Sequence, residues 1–258
     1  MDEGDRLAFE RDGFVLQKAL FTAPEVSAML DAVESGERVA NTQNAARDKE
    51  GRSSRLAIWG ALGNDIWAAA STLPRVVNGV RALMGEDIAF FHGKVMLKEA
   101  GSGGAWEWHQ DYGYWYGDGF VFPRLMSVFC ALDPCTRENG CLQVLRGSHR
   151  LGRLDHGAVG SQVGASESRI EQLEPLFERV HCEMQPGDAL FFHCNLLHAS
   201  APNTSDRHRR AFIICYNALH NPVLGSPDRY REPCPTCPDD AILAAAAGEA
   251  RGEGSKTP

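Results

Sequence analysis

The sequence predicts a mainly β protein with flanking helices: an antiparallel sandwich or barrel behind a helical front end. Two observations carry this. From Ile88 onward, short runs rich in Val, Phe, Ile and Cys are separated by turn dipeptides such as Gly103-Gly104, Asp133-Pro134, Asn139-Gly140, Gly147-Ser148 and Pro186-Gly187, which is the punctuation of closely spaced antiparallel strands. Before Ile88, apolar residues recur instead at helical spacing.

The elements follow in order. Thr22-Ala23-Pro24-Glu25 is a capping box, and Val26, Met29, Leu30 and Val33 follow it on one helical face. The polar stretch Asn41–Arg55 reads as a loop. A second helix starts near Thr72, carries Pro74 in its first turn and stops at Gly85. Strands are expected at 88–98, 105–112, 125–132, 141–145, 179–184, 188–193 and 209–217. The segment 150–178 breaks the strand rhythm and reads as an insertion with a helix over 166–178. Beyond Asn221 the chain is loop-like, ending in a frayed helix and disordered tail over 241–258. We therefore expect one domain: a mainly helical part over 1–87, a β core over 88–220, and a C-terminal loop and tail over 221–258.

Composition excludes several classes of function. With 258 residues, 43% hydrophobic and 23% charged, the chain is ordinary globular material rather than fibre or disordered polymer. A net charge of −8 opposes binding to nucleic acid, which needs a basic face. No apolar run approaches the roughly 20 residues of a membrane span, and the first residues, Met1-Asp2-Glu3-Gly4-Asp5, are acidic where a signal peptide is basic. The expectation is a soluble cytoplasmic protein with no membrane partner. Most of the eight cysteines sit inside apolar stretches, as reduced thiols do in a core. Cys234 and Cys237 have zinc or redox spacing but no second pair beside them.

The chemistry centres on His109-Gln110-Asp111. An i, i+2 pair on a strand projects from one face, and a histidine with a carboxylate is two thirds of the 2-His-1-carboxylate triad that leaves positions open on Fe(II). His181-Cys182-Glu183 is a rival pair of the same spacing. Further on, Gly187 to Asn203 reads as a turn, a strand and a histidine-bearing corner, with His198 and His193 both able to supply the third ligand. Arg209 opens the next strand, and a guanidinium grips a carboxylate bidentately, which suits an anionic co-substrate. Arg210 must face the other way.

The set Lys98, Trp108-His109-Gln110-Asp111, Glu138-Asn139-Gly140-Cys141-Leu142, Arg146-Gly147-Ser148-His149, Gly187-Asp188 and His198-x-Ser200-x-x-Asn203 with Arg209 resembles the phytanoyl-CoA dioxygenase family from about residue 88 to 217. The resemblance implies a double-stranded β-helix (jelly-roll, cupin-like) core and an Fe(II)- and 2-oxoglutarate-dependent dioxygenase that consumes O2. It implies that His109, Asp111 and His198 ligate iron, and that Arg209 and Ser200 hold the far carboxylate of 2-oxoglutarate. Lys98 would touch the same co-substrate, and Phe129 would wall its pocket. Because a carboxylate occupies position 111, halogenation is disfavoured relative to hydroxylation. A ligand-binding sensor and a zinc hydrolase are the competing classes; the complete triad with its arginine opposes the first, while the same donors also suit zinc. The rings of Trp106, Trp108, Tyr112, Tyr114, Trp115 and Tyr116 around the triad suggest an aromatic wall, worth about 0.5–2 kcal/mol per contact to a cation. They suggest a small polar substrate of the amine, amino-acid or aminophosphonate type. Oligomeric state stays open.

Overall fold

The structure, a computed structural model, describes residues 1–226 and 228–253. Helices α1 (Glu3–Asp12), α2 (Ala23–Ser35), α3 (Glu37–Thr42), α4 (Ile66–Thr72) and α5 (Pro74–Met84) alternate with strands β1 (Phe14–Gln17), β2 (Gln43–Arg47) and β3 (Ser53–Trp59). There follow β4 (Ile88–Lys98), β5 (Trp106–His109), α6 (Asp111–Trp115), β6 (Leu125–Ala131), β7 (Leu142–Leu145), β8 (His156–Val159), β9 (Gln162–Ala165) and α7 (Glu167–Leu173). The chain closes with β10 (Arg179–Cys182), β11 (Ala189–His193), β12 (His198–Ser200), β13 (Arg209–Ala218) and α8 (Ala241–Glu253). The capping box at Thr22 and Glu25 forms as the sequence predicts. Gly85 ends α5 in the left-handed conformation that glycine adopts without penalty. The tail expected beyond Glu253 lies outside the described residues. No helix among the described residues is long and apolar enough to cross a membrane.

A seven-stranded sheet, in the order β1-β11-β6-β13-β4-β3-β2, faces a four-stranded sheet in the order β10-β7-β12-β5, with every pairing antiparallel. This is the jelly-roll. The β8–β9 hairpin stands apart as a two-stranded sheet. The large sheet is apolar on both faces because both are covered. Val95, Leu97, Phe212 and Ile214 pack outward with Val26, Trp67, Val76 and Val80 of the helices. Met96, Phe129, Leu190 and Ile213 pack inward toward Leu142 and Val144 of the small sheet. The helical front end thus buries one face, and the other lines the barrel interior.

Three expectations need correction. Residues 41–55, read as a loop, form the end of α3, strand β2 and the start of β3, an edge hairpin of the large sheet. Its outer strand, Gln43–Arg47, is polar and largely exposed, as an edge strand must be to avoid pairing with other chains. The strand expected over 105–112 ends at His109, and Asp111 opens the short helix α6. The insertion 150–178 contains the β8–β9 hairpin ahead of its helix, which runs over Glu167–Leu173 and continues as a 3-10 turn to Leu176.

The N-terminal segment is tied to the core at the β10–β11 turn. Asp188 accepts hydrogen bonds from Lys18 Nζ (2.8 Å), Ala19 N (2.9 Å) and Gln185 N (2.9 Å). Gly187 beside it has φ +89°, and a Cβ there would strike the Phe21 carbonyl. Burial would raise the Asp188 carboxyl, but Lys18 and the two amides outweigh it and hold it below its ordinary value. A depressed carboxylate adds stability above its unfolded pKa of about 3.9 and loses it as pH falls through the lower folded value. Asp188→Asn is therefore expected to destabilise by about 1–3 kcal/mol at neutral pH. Its deficit against the parent protein should shrink as unfolding is followed from pH 6 down below pH 4; a pH-independent deficit would contradict the role of the charge.

Candidate active site

The barrel interior receives His109 from the end of β5 and His198 from the start of β12, which are cross-strand neighbours. Their ring centroids lie 4.0 Å apart. Each imidazole is oriented from behind: His109 Nδ1 donates to the Glu107 carbonyl (2.7 Å) and His198 Nδ1 to the Leu196 carbonyl (2.8 Å). A proton held on Nδ1 leaves the Nε2 lone pair free, and both Nε2 atoms turn to Asp111 Oδ1, at 3.7 and 3.8 Å. Burial, ahead of all other influences, lowers the pKa of both imidazoles, so they stand neutral. These contacts are too long for hydrogen bonds. Three buried lone-pair donors thus face one another with no proton between them, an arrangement that a cation stabilises. Among the described residues, His109, Asp111 and His198 form the one group of three that could hold a metal ion, and two imidazoles with one carboxylate suit iron.

Asp111 reaches this position although it is not on the strand. Gln110 is extended, with φ −106° and ψ 134°, and Asp111 follows at the first position of α6. The Gln110 side chain is fully buried. Its amide donates to the Asn195 carbonyl (3.0 Å) and its oxygen accepts from Leu154 N (2.8 Å), while its own backbone N–H donates to His156 Nε2 (2.9 Å). The residue between two candidate ligands therefore fastens both to the surrounding loops. Asp111 Oδ2 accepts from Ser127 Oγ (2.6 Å) on the interior strand β6. Burial would raise the Asp111 carboxyl, but Lys94 foremost and the Ser127 hydroxyl hold it well below the usual carboxylate range. Sequence reasoning missed Ser127; its signal was a lone hydroxyl inside the apolar run Leu125–Ala131. Ser127→Ala is expected to weaken iron binding by roughly 10–100-fold, the usual effect of losing a group that orients a ligand. Iron titration of the two proteins measures it, and equal affinities would show that Asp111 needs no such support.

One pocket runs from the two histidines to Arg209, with Phe129 and Ser200 in its wall. Arg209 is 1% exposed, donates weakly to Ser200 Oγ at 3.4 Å, and lies 5.6 Å from the Phe129 ring centroid. Its Nε makes no hydrogen bond. Burial presses on the guanidinium first, with only distant Cys135, Cys141 and Asp133 opposing. A buried cation so short of partners calls for an anion. Arg210 faces away, paired with Asp133 (2.7 Å) and Glu34 (2.8 Å).

The structure separates the remaining expected residues. Lys98 is buried behind the pocket wall, and its ammonium donates to the carbonyls of Ser200 (3.2 Å) and Ala201. The lysine that lines the pocket is Lys94, on the same face of β4 and four residues earlier. His193 lies outside, with Nδ1 accepting from Asn195 N (3.0 Å) and its ring against Phe9 and His149. His149 is a turn contact, its Nε2 3.2 Å from the Glu10 carbonyl. His181 and Glu183, the rival pair, lie beside β10's register with β7, outside the His109–Asp111–His198 group. Of the aromatic run, Tyr114 lies tilted beside His109 with ring centroids 5.2 Å apart, and Trp106 lines the pocket. Tyr112 donates to the Val121 carbonyl (2.8 Å) in the core, Trp108 lies under Arg179, and Tyr116 is exposed beside Arg153. The expected aromatic wall therefore reduces to two rings beside His109.

Residues 9–211 match the family model described as phytanoyl-CoA dioxygenase (PhyH). The chain belongs to the phytanoyl-CoA dioxygenase family. Its curated relatives include an L-proline trans-4-hydroxylase of Streptomyces griseoviridis, 27% identical over 84% of this chain and 86% of that protein. An ectoine dioxygenase of Bordetella bronchiseptica is 26% identical over 86% of this chain and 77% of its own length. Among solved structures, EctD from S. alaskensis with 2-oxoglutarate and 5-hydroxyectoine superposes with a TM-score of 0.72 at 24% identity, covering 86% of this chain and 78% of that one. The epimerase SnoN, in complex with Fe3+, alpha ketoglutarate and nogalamycin RO, gives 0.73 at 21% identity, covering 93% and 96%. These likenesses establish the jelly-roll fold. As a phytanoyl-CoA dioxygenase family member the chain is an iron- and 2-oxoglutarate-dependent dioxygenase that uses O2.

Proposed function

We propose that this dioxygenase hydroxylates a small polar metabolite of the amine, amino-acid or aminophosphonate type, with His109, Asp111 and His198 holding the iron. The observation that carries the site assignment is one pocket lined by the two histidines of a three-donor group and by a buried, under-partnered guanidinium. That is the layout required by a metal and a dicarboxylate bound together. Bound at the triad, iron supplies the O2-dependent oxidation that couples decarboxylation of 2-oxoglutarate to oxygen insertion.

The chain's own residues hold the reactants. Arg209 pairs with the far carboxylate of 2-oxoglutarate, and Ser200, two residues beyond His198 on β12, adds a hydroxyl to the same carboxylate. Phe129 and Ile213 wall the carbon chain and exclude water. Lys98 acts one step back: by donating to the Ser200 and Ala201 carbonyls it fixes the strand segment that presents the hydroxyl. Trp106 and Tyr114 flank His109 and border the space left for the primary substrate.

Two relatives are named for compact polar compounds, L-proline and ectoine, and a net charge of −8 disfavours a polyanionic nucleotide handle. Both support a small, polar primary substrate. The test is a succinate-release screen over amines, amino acids and aminophosphonates, with fatty acyl-CoA esters and neutral polycyclic scaffolds as comparison sets. Product mass must rise by one oxygen atom. Coupled turnover confined to either comparison set would overturn the substrate class while leaving the iron site intact.

A further inference from the structure

Besides Arg209 the pocket holds a second cation, Lys94, whose charged neighbour is the Asp111 carboxylate. Lys94 lies on the inward face of β4, in register with Ile213 of β13. Its side chain is 17% exposed, and its ammonium stands 3.9 Å from Asp111 Oδ1. That distance is beyond a hydrogen bond, and the ammonium makes no other polar contact among the described residues. Lys98, two turns of the pleat further along the same face, shows how a buried ammonium is ordinarily satisfied, by two carbonyls. Lys94 lacks any equivalent. Met96, Phe129, Leu142, Phe192 and Ile213 line the pocket with it, alongside the polar His109, His198, Ser200 and Arg209.

Lys94 shares this carboxylate neighbour with the two histidines of the triad. Oδ1 is the oxygen that both histidine Nε2 atoms face, so a metal there draws on the same charge. An ammonium that would share its carboxylate neighbour with a bound metal favours a further anion beside it. Arg209 is a full ladder step and more away, in register with Lys98 rather than with Lys94, so the two cations mark different ends of the pocket.

We propose that Lys94 is a second carboxylate-binding group, placed at the metal end of the pocket as Arg209 is placed at the far end. This rests on the 2-oxoglutarate site proposed above. A single ammonium among closely set apolar side chains fits a monoanionic, planar carboxylate. Two molecules can bring one: 2-oxoglutarate, whose other carboxylate lies at the metal end once Arg209 holds the first, or a primary substrate of the amino-acid type.

Lys94→Met keeps the side-chain length and suits the apolar wall, Lys94→Gln is a second neutral variant, and Lys94→Arg restores the charge. Thermal unfolding checks that each is folded. Affinity for 2-oxoglutarate is measured by anaerobic calorimetry on Fe(II)-loaded protein, and succinate release is measured against amino acids and their decarboxylated amines. A loss of 2-oxoglutarate affinity of tenfold or more in Lys94→Met and Lys94→Gln, recovered in Lys94→Arg, assigns the carboxylate to the co-substrate. Unchanged affinity with a selective loss of the response to amino acids, but not to amines, assigns it to the primary substrate. Neutral variants that match the parent in both measurements overturn the proposal. Failure of the parent protein itself to bind 2-oxoglutarate would instead overturn the function proposed above.

Discussion

Alanine at His109, Asp111 or His198 is expected to lower iron affinity by more than about a hundredfold and to remove turnover with it. Changes behind a metal ligand cost roughly 10–100-fold, and losing a ligand removes coordination itself. His193→Ala is the informative control. It deletes a half-buried imidazole, held near a pKa of about 4 by desolvation and then by His149, but one that lies outside the triad, against Phe9 and His149. It is expected to cost stability and to leave iron affinity within a few-fold. Iron titration of the four variants reads the result. Retained iron binding in His198→Ala with loss in His193→Ala would reverse the assignment of the third ligand.

The second large effect is at the far end of the pocket. Arg209→Ala is expected to weaken 2-oxoglutarate binding by about 2–5 kcal/mol, the range for truncating one side of a buried charge pair, which is roughly thirtyfold to several thousandfold. Iron affinity should stay unchanged, because Arg209 belongs to a different end of the pocket from the triad. Arg210→Ala should leave the co-substrate alone and instead release β13 from Asp133 and Glu34, lowering the midpoint of thermal unfolding. Equal co-substrate affinity in Arg209→Ala and the parent protein would show that another base holds the dicarboxylate.

How much of this was legible in the sequence depended on whether a residue's neighbours are local. Strand β4 was read to the residue, over 88–98, because its apolar run is bounded by turn residues at both ends. The β2–β3 hairpin was not, because an exposed edge strand such as Gln43–Arg47 carries the polar composition of a loop. His109 and Asp111 do converge, but through one extended residue followed by a helical turn; Gly113 was the local hint that the strand does not continue. Alternation along β4 puts Lys94 and Lys98 on one face, and no local signal says which ammonium enters the pocket. That was decided by the Ser200 and Ala201 carbonyls, more than a hundred positions along the chain, which capture Lys98. The supports of the site, Ser127 behind Asp111 and Gln110 between the loops, depend on the same long-range contacts.

The central claim is that one pocket holds iron at the His109–Asp111–His198 end and 2-oxoglutarate between that end and Arg209. Anaerobic visible spectroscopy tests it most directly. Adding 2-oxoglutarate to the Fe(II)-loaded protein should produce a weak charge-transfer band that saturates at one equivalent. The band should be absent in His198→Ala, displaced to much higher co-substrate concentration in Arg209→Ala, and abolished when Zn(II) replaces Fe(II). No band from the iron-loaded parent protein, or a band that persists unchanged in both variants, would contradict the account.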